Sequence, residues 1–334
     1  MSANYLHNLT PLGVTAITRT EVILPLWSGY GELVRLDVEG LIAPSLIVKH
    51  VTLPEQLTHP RGWSTPQSHQ RKVDSYDVEA FWYQTYATQY DALCPMPLSL
   101  LTTVTDNQWF IAMEDLSCRG FSETAPNASW QQISACLKWL ASFHAKHIDQ
   151  PGIGLWQSGT YWHLQTRPDE MSALQDLPLK QAAQAIDQAL FDAPFTTLVH
   201  GDAKLANFCF NSRGDKAAAI DFQYVGKGCA MKDVILFISS AIRPEQCAEL
   251  ESTLLDNYFD HLKQALAVYQ PQLAAIEVEQ AWRPMFALAW ADFQRFVKGW
   301  SPNHWKVNAY TESLKEQALQ QLKAKTGYAP YSKY

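Results

Sequence analysis

The sequence lacks the features by which nucleic-acid-binding and membrane proteins are usually recognised. No block of lysine or arginine stands out among its 334 residues, and the formal net charge is -7. An acidic chain without a basic patch is a poor partner for nucleic acid or for an anionic membrane. An apolar run at residues 41–51 is broken by Pro44 and Lys49, and the first residues lack a charged start followed by a long apolar stretch. We therefore expect a cytoplasmic protein without a signal peptide or a membrane span.

Closely spaced cysteines are also missing. The six cysteines are spread through the chain without a Cys-x-x-Cys pair. Disulfide frameworks and zinc sites need closer or more regular spacing, so we expect reduced and mostly buried thiols. The length exceeds what one hydrophobic core usually serves, which favours two lobes of unequal size. Monomer and homodimer both stay open.

The first 115 residues have the composition of a small antiparallel sheet with one helix. Strands rich in β-branched and aliphatic residues are predicted at 22–26, 32–38, 45–51, 98–104 and 109–113. Asp106 and Asn107 would form the turn of the last hairpin. Polar residues without periodicity predict a loop at 54–72, and apolar spacing predicts a helix from about 75 to 90.

From Asp115 onward the periodicity is that of helices. Helices are predicted at 129–147, 232–241, 244–269 and 277–299. Ser129 and Gln132 have the spacing of a capping box, which marks the start of the first of these helices. Strands followed by helices indicate an α+β fold.

The most informative segment, residues 198–223, has the sequence LVHGDAKLANFCFNSRGDKAAAIDFQ. Two short apolar runs each end in a polar cluster with an aspartate, so Asp202, Asn207 and Asp221 can converge. Any one of them alone would be an ordinary loop residue. Their joint spacing favours a site, in which Asn207 follows Asp202 by five residues and precedes Asp221 by 14. One carboxylate would orient and deprotonate a hydroxyl, and the other two groups would bind Mg²⁺ during phosphoryl transfer from a nucleotide.

Two further features in the first third could serve the same reaction. Lys49 ends an apolar run, so its stem would be buried and its ammonium would need an anionic partner. Gly29 and Gly31 lie between two predicted strands, where backbone N–H groups could approach phosphates. A plain hairpin would also explain the two glycines.

These motifs resemble the small-molecule kinases of the protein-kinase-like fold. VHGDAKLANF at 199–208, IDFQ at 220–223 and MKDV at 231–234 are similar to aminoglycoside phosphotransferases and choline kinases. The Asp-Phe-Gln triplet makes ecdysteroid-kinase-like proteins the closest group. The resemblance extends loosely over nearly the whole chain, and only the central motif is specific. It implies a two-lobed α+β fold, with a nucleotide-binding lobe at 1–115 and a catalytic and acceptor-binding lobe at 116–334.

The resemblance assigns a role to each polar residue of the central motif. Asp202 matches the catalytic aspartate that positions and deprotonates the acceptor hydroxyl, and Asn207 and Asp221 match the two magnesium ligands. His200 would hold the loop in shape. Lys204 could reach the transferring phosphoryl group, a position more typical of protein kinases, or could be a solvated loop lysine.

In the first lobe the resemblance implies an ion pair. It places Lys49 on the α and β phosphates of ATP and pairs it with a glutamate of the following helix. Glu79 is the best match, with Asp77 and Glu55 as the other possibilities. Most helix glutamates are simply solvated, which is the alternative for Glu79.

Two more assignments follow from the resemblance alone. The segment with Glu114 and Leu116 would be the hinge, whose main chain pairs with the adenine edge. Asp233 would accept hydrogen bonds from the catalytic-loop backbone, although capping of its own helix would also account for it.

The acceptor is the least defined part of the prediction. Aromatic residues repeat at helical spacing near the C-terminus, which is more typical of a core than of a pocket. In relatives, helices at this end wall the acceptor site. Asp292 and Trp290 are therefore named as acceptor contacts, for a sterol- or terpenoid-like, choline-like or aminoglycoside-like alcohol.

The predicted function is a magnesium- and ATP-dependent kinase of a small-molecule hydroxyl. A nucleotide-binding pseudokinase is disfavoured because the catalytic aspartate and both metal ligands are present. A metal-dependent hydrolase would need more histidine or carboxylate ligands. A protein kinase is opposed by the short segment between Asp221 and Asp233, which leaves little room for a peptide-binding activation segment.

Overall fold

The computed structural model describes residues 5–26, 29–53 and 66–326. It begins with an antiparallel sheet of five strands in the order β1-β2-β3-β5-β4. The strands are β1 (Ala16–Pro25), β2 (Gly31–Glu39), β3 (Ser45–Thr52), β4 (Ser99–Thr105) and β5 (Gln108–Glu114). Helix α1 (Tyr5–Leu9) covers one face, and helix α2 (Pro66–Thr85) covers the other. We call this part the sheet lobe; its strands and closing hairpin confirm the prediction.

Alternation along β3 decides which of its side chains face each helix. Leu46 and Val48 pack in the cluster that includes α1, whereas Val51 packs in the cluster that includes α2. Successive strand residues point to opposite faces of a sheet, so Lys49 shares the α2 face with Val51. The buried Lys49 side chain is therefore directed toward α2.

Helix α2 begins nine residues before the predicted start at 75, and it ends at Thr85 rather than near 90. Residues 66–72, predicted as part of a loop, are helical; the rest of that predicted loop lies outside the described residues. The first turns carry polar side chains that bond distant segments, such as Arg71 Nη1 to the Thr166 carbonyl at 2.7 Å. Contacts of this kind leave no apolar periodicity in the sequence, which explains the error.

The helical lobe follows. It contains α3 (Trp130–Lys146), α4 (Pro168–Ala173), α5 (Leu177–Phe191), α6 (Met231–Ala241), α7 (Pro244–Tyr269), α8 (Ala275–Trp282), α9 (Met285–Trp300) and α10 (Ala309–Thr326). The predicted capping box of Ser129 and Gln132 is present at the start of α3. An α+β fold with a sheet lobe followed by a helical lobe is thus confirmed.

Aromatic stacking joins the two lobes. Trp82 of α2 stacks on Phe222 with ring centroids 4.8 Å apart, and Trp139 stacks on Phe143 within α3 at 5.0 Å. Phe222 lies directly after Asp221, so this apolar contact fixes the Asp221 segment of the motif against the sheet lobe. Offset aromatic pairs of this kind add to the stability from area burial.

The predicted helix at 277–299 is two helices. α8 ends at Trp282 and α9 begins at Met285, with Pro284 between them. Proline has no backbone N–H to donate, and its ring clashes with the preceding turn of a helix. The break allows α9 to run through the middle of the helical lobe, where most of its side chains are buried.

Two small two-stranded sheets frame the central motif. β6 (Thr197–Val199) pairs with β9 (Gly226–Gly228), and β7 (Phe208–Phe210) pairs with β8 (Ala217–Ala219). The two predicted apolar runs are β6 and β8, and each pairs with a strand that the sequence pattern did not reveal. The polar residues lie in the loops between these strands.

The remaining predictions about the fold concern cysteine and membrane segments. All six cysteines are free thiols; four are buried, Cys209 is half-buried and Cys118 is exposed. Among the helices of residues 5–26 and 66–326, none combines the length and apolar character that a membrane-crossing segment requires.

Candidate active site

The loop after β6 is held in place by a buried aspartate. The Asp233 carboxylate accepts hydrogen bonds from the backbone N–H groups of His200, at 2.5 Å, and Gly201, at 2.9 Å. His144 Nε2 also contacts it, at 3.1 Å. Both Asp233 and His144 are fully buried, so these bonds satisfy groups that water cannot reach. The contacts agree with the structural role predicted for Asp233.

Gly201 is required by the path of the loop. Its φ is +80°, and a Cβ at this position would lie 2.0 Å from the Tyr224 carbonyl oxygen. Any side chain would therefore push residues 200–202 away from the segment that follows Asp221. The tight approach brings the two halves of the motif together.

His200 is placed as a structural residue. Its Nδ1 accepts from the Asp202 N–H at 3.2 Å, which leaves Nε2 to donate to the Ile220 carbonyl at 3.0 Å. Both ring nitrogens are thus engaged with the backbone. An imidazole bonded in this way is not free to bind a metal or to take a proton from a substrate.

Two polar side chains, those of Lys204 and Asn207, contact the Asp202 carboxylate. Lys204 Nζ lies 2.8 Å from Oδ2, and Asn207 Nδ2 lies 3.1 Å from the same oxygen. Asn207 Nδ2 also donates to the Asp202 carbonyl at 2.8 Å, so the amide oxygen is the atom of Asn207 left to bind a cation. Burial raises the pKa of Asp202, although the Lys204 ammonium opposes the shift. A raised pKa makes the carboxylate a better proton acceptor.

Lys49 connects the sheet lobe to the motif. Its ammonium lies 2.6 Å from Glu79 Oε2 and 3.2 Å from Asp221 Oδ1. Burial opposes the charged form, but the two carboxylates outweigh it and raise the pKa of Lys49. The predicted partner Glu79 is the one the structure brings to Lys49. Asp77 instead accepts from Trp109 Nε1, and Glu55 lies outside the described residues.

Asp221 is held as a strongly acidic carboxylate. Its φ of +68° is unusual for a residue other than glycine, and its Oδ1 contacts Lys49 of the sheet lobe at 3.2 Å. Burial works against ionisation, yet the ammonium groups of Lys49, Lys72 and Lys204 together keep the pKa of Asp221 below its ordinary range. A carboxylate that stays ionised is suited to bind a divalent cation.

Lys72 and Gln223 belong to the site but were missed by the sequence analysis. Lys72 Nζ donates to Gln223 Oε1 at 2.5 Å, and the Gln223 amide nitrogen donates to Asp221 Oδ1. Gln223 is the last residue of the Asp-Phe-Gln triplet, which was the only available signal. Lys72 gave none, because it lies in the polar stretch predicted as a loop.

The two glycines predicted to approach the nucleotide lie in and just before the start of β2. Gly29 and Gly31 have positive φ values of +73° and +145°, and a Cβ on Gly31 would lie 1.9 Å from the His50 carbonyl oxygen. Residues 27 and 28 of this loop lie outside the described residues. At the predicted hinge the Glu114 N–H already donates to the Leu98 carbonyl at 3.0 Å, so it is not available to adenine. A main-chain contact through Leu116 stays a prediction.

Asp292 is not an acceptor contact. Its carboxylate is fully buried, 2.9 Å from Arg295 Nη2 and 3.5 Å from Lys232 Nζ, and it accepts from Trp162 Nε1 at 3.0 Å. Paired in this way, it is a core ion pair of α9. Trp290 is also buried, and its ring lines a small cavity next to Lys306.

The rest of the structure offers no competing metal centre. Within residues 5–26, 29–53 and 66–326, no three His, Cys, Asp or Glu side chains gather around one point. The engagement of both ring nitrogens of His200 with the backbone argues against the metal-dependent hydrolase, which would use that imidazole as a ligand. Asp221 and Asn207 could supply two oxygen ligands, a number that would suit Mg²⁺ because that ion commonly takes its other ligands from phosphates and water.

In the sheet lobe Lys49 pairs with the helix residue Glu79, and this pair faces Asp202, Asn207 and Asp221 of the central motif. The arrangement defines a kinase-like phosphotransferase. The sequence model of the phosphotransferase enzyme family matches residues 66–271. That match spans more than half of the chain, so the protein belongs to this family and is a small-molecule phosphotransferase.

Solved structures are similar to this chain at low sequence identity. A microcompartment-associated aminopropanol kinase is 14% identical, with a TM-score of 0.51 over 96% of this chain and 97% of the other. A putative aminoglycoside phosphotransferase from Ralstonia eutropha JMP134 is also 14% identical, with a TM-score of 0.49 over 95% of each chain. At such identities the likeness is one of fold alone. The comparison with curated proteins found no match.

Proposed function

We propose that the protein is an ATP- and Mg²⁺-dependent kinase that phosphorylates a hydroxyl group of a small molecule by direct in-line transfer. The observation that carries the proposal is the bridge formed by Lys49 between Glu79 of one lobe and Asp221 of the other. A buried ammonium beside two carboxylates forms the site that α and β phosphates and a divalent cation would share. Asp202 and Asn207 lie next to it on the catalytic loop.

The chain's own residues would act on the acceptor as follows. Asp202 would accept a hydrogen bond from the attacking hydroxyl and take its proton as the new O–P bond forms. The bond between the γ phosphorus and the β–γ bridging oxygen breaks, and ADP leaves. Lys204 would neutralise charge on the transferring group. Asp221 and Asn207 would hold Mg²⁺, which when bound neutralises phosphate charge.

Contacts of the segment after Asp221 also bear on the size of the acceptor and on the family relation. The segment between Asp221 and Asp233 contains β9 and packs against β6, which supports a small acceptor over a peptide. The bonds of Gln223 to both Asp221 and Lys72 give the Asp-Phe-Gln triplet a physical role and support a relation to ecdysteroid-kinase-like proteins. We keep residues 1–115 and 116–334 as the proposed nucleotide-binding and catalytic lobes.

The proposed function predicts that ATP and Mg²⁺ stabilise the protein together. A ligand that binds only the folded state raises the melting temperature, so ATP with Mg²⁺ should raise Tm by several degrees more than either alone. Differential scanning fluorimetry measures the shift. ATP consumption measured with each member of a library of hydroxyl compounds would then identify the acceptor. An absence of synergy in Tm would contradict the proposal.

Lys72 is a further γ-phosphate ligand in this proposal. It is half-buried, its ammonium lies 4.6 Å from the Tyr76 ring centroid, and no carboxylate of the described residues is within ion-pair distance of it. Burial and the charge of Lys49 lower its pKa to about 8. An incoming phosphate would supply the anion that this ammonium lacks.

Lys72→Met is therefore expected to remove the extra stabilisation of ATP over ADP. In the wild type, ATP with Mg²⁺ should raise Tm more than ADP with Mg²⁺, because only ATP has the γ phosphate. The variant should respond equally to both nucleotides and lose roughly 10²-fold in kcat. Lys72→Arg should keep part of the difference, and Lys138→Met, on the exposed face of α3, serves as the matched control. An unchanged ATP increment in Lys72→Met would exclude the role.

A further inference from the structure

A ladder of aromatic rings extends from the helical core to the surface near the catalytic loop. Phe293 stacks on Phe296 with centroids 6.4 Å apart, and Phe296 stacks on Trp300 at 6.1 Å. His304 lies 5.7 Å from Trp300 and 5.4 Å from Trp305. Trp305 is 55% exposed, so the outer end of the ladder lies at the surface. We call these five residues the aromatic wall.

An ammonium group sits against this wall. Lys306 Nζ lies 5.1 Å from the Phe293 ring centroid and 5.4 Å from that of Trp305, and it donates to Ser239 Oγ at 2.9 Å. No carboxylate in the described part of the chain lies within ion-pair distance of it. A half-buried cation of this kind lacks a charged partner, and burial lowers its pKa to about 8.

The wall adjoins the catalytic loop through two contacts. Tyr161 donates its N–H to the Gly201 carbonyl at 3.2 Å, and its ring packs on Phe296 at 5.6 Å. On the other side, Ser240 follows the Ser239 that binds Lys306, and its Oγ accepts from the Leu205 N–H at 2.8 Å. Lys306 is also within electrostatic range of Asp202. An acceptor with its hydroxyl at Asp202 would therefore extend along the wall.

The charges around this space do not suit a cationic acceptor. Asp292 is neutralised by Arg295 within the core, and Glu170 is paired with Arg167 at 3.1 Å. The Phe293 and Trp305 rings already hold the Lys306 ammonium, and the Phe296 ring holds the Arg167 guanidinium at 4.9 Å. A choline-like or aminoglycoside-like molecule would thus meet the Lys306 ammonium, which no carboxylate of the described residues offsets at ion-pair distance.

We propose that the acceptor carries an anionic group, a carboxylate or a phosphate, beside an apolar body, and that Lys306 binds this group while the aromatic wall packs on the body. The inference rests on the proposed function, since it describes the molecule whose hydroxyl Asp202 would activate. An anionic group on the acceptor would give the Lys306 ammonium the charged partner that the described residues do not provide. It also selects against two of the acceptor classes that the sequence left open.

A charge-matched acceptor panel tests the inference. Each aromatic or aliphatic hydroxyl scaffold is supplied as a carboxylate, a phosphate, an uncharged amide and an amine, and ATP consumption is measured for each. We expect the best anionic member to have a kcat/KM roughly tenfold or more above its matched amine and amide. The carboxylate and phosphate arms show which anion fits. A preference for amines or amides, or no turnover with any anionic member, would overturn the inference.

Variants of Lys306 separate anion binding from a merely structural role. Lys306→Met should raise KM for the anionic acceptor by roughly tenfold or more and leave KM for ATP within about twofold. Lys306→Arg should restore most of the affinity, and Lys306→Glu should shift the preference toward the matched amine. Lys323→Met, on an exposed position of α10, is the control. Equal acceptor KM values in Lys306→Met and the wild type would refute the assignment. If ATP and Mg²⁺ together do not raise the Tm of the wild type more than either alone, the kinase function itself is refuted.

Discussion

Replacing Asp202 by asparagine is expected to abolish turnover while nucleotide binding persists. The change keeps the size of the side chain, and the remaining oxygen can still accept from Lys204 or Asn207. An amide cannot take the proton of the attacking hydroxyl, and general base catalysis contributes about 10²–10⁴-fold. We therefore expect kcat to decrease by that amount and the Tm increment of ATP with Mg²⁺ to stay within about 1 °C of the wild-type value.

The measurement pairs ATP consumption with differential scanning fluorimetry on the same protein. Asp106→Asn is the matched control, because Asp106 lies exposed in the β4–β5 turn. Turnover near the wild-type rate in Asp202→Asn would remove Asp202 from the mechanism. Since burial raises the pKa of Asp202 above its ordinary value, wild-type kcat/KM should decrease as the pH falls through that pKa.

Asp221→Ala is expected to remove the joint stabilisation by ATP and Mg²⁺. The change deletes the one carboxylate of the proposed metal pair and takes away a full negative charge, whereas Asn207 supplies only a neutral amide oxygen. Lys49 keeps its bond to Glu79, so the sheet lobe retains an ion pair after the substitution. The loss should therefore appear as weaker metal-nucleotide binding and a decrease in kcat of roughly 10³-fold.

Titration of Mg²⁺ at fixed ATP, followed by Tm, measures this effect directly. The wild type should show a saturable increment with Mg²⁺, and Asp221→Ala should show the same Tm with and without the ion. Asp256→Ala is the control, because Asp256 is an exposed carboxylate that also pairs with a basic side chain, Arg283. An Mg²⁺ increment of wild-type size in Asp221→Ala would rule out the metal assignment.

The central motif was accessible from the sequence because its geometry is local. His200, Asp202 and Asn207 lie on one loop, and Asp221 follows a strand that pairs next to it, so spacing alone brings them near one another. The Lys49–Glu79 pair was predicted from the family resemblance, which pairs the strand lysine with a glutamate of the following helix and left Asp77 and Glu55 as alternatives. The structure brings Glu79 to Lys49 because α2 covers the sheet face on which Lys49 lies.

Other parts were not accessible, because they depend on contacts between distant segments. The first turns of α2 were missed since their partners are polar groups of the helical lobe. The break at Pro284 was missed since apolar spacing continued on both sides of it. Asp292 was predicted to face the acceptor, but Arg295 and Lys232 enclose it within the core.

By itself the sequence determined the order of a sheet lobe and a helical lobe, and the chemical groups of the central loop with their spacing. Periodicity and motif spacing reflect interactions between residues that are close along the chain. The order of the two lobes and the groups of the central loop depend on such interactions. Only the tertiary structure brought Lys72 to Gln223 across 151 residues, buried Asp292 and placed Lys306 on the aromatic wall. Whether a charged side chain is paired or left without a counter-ion depends on which distant segment packs beside it, and no local pattern records that.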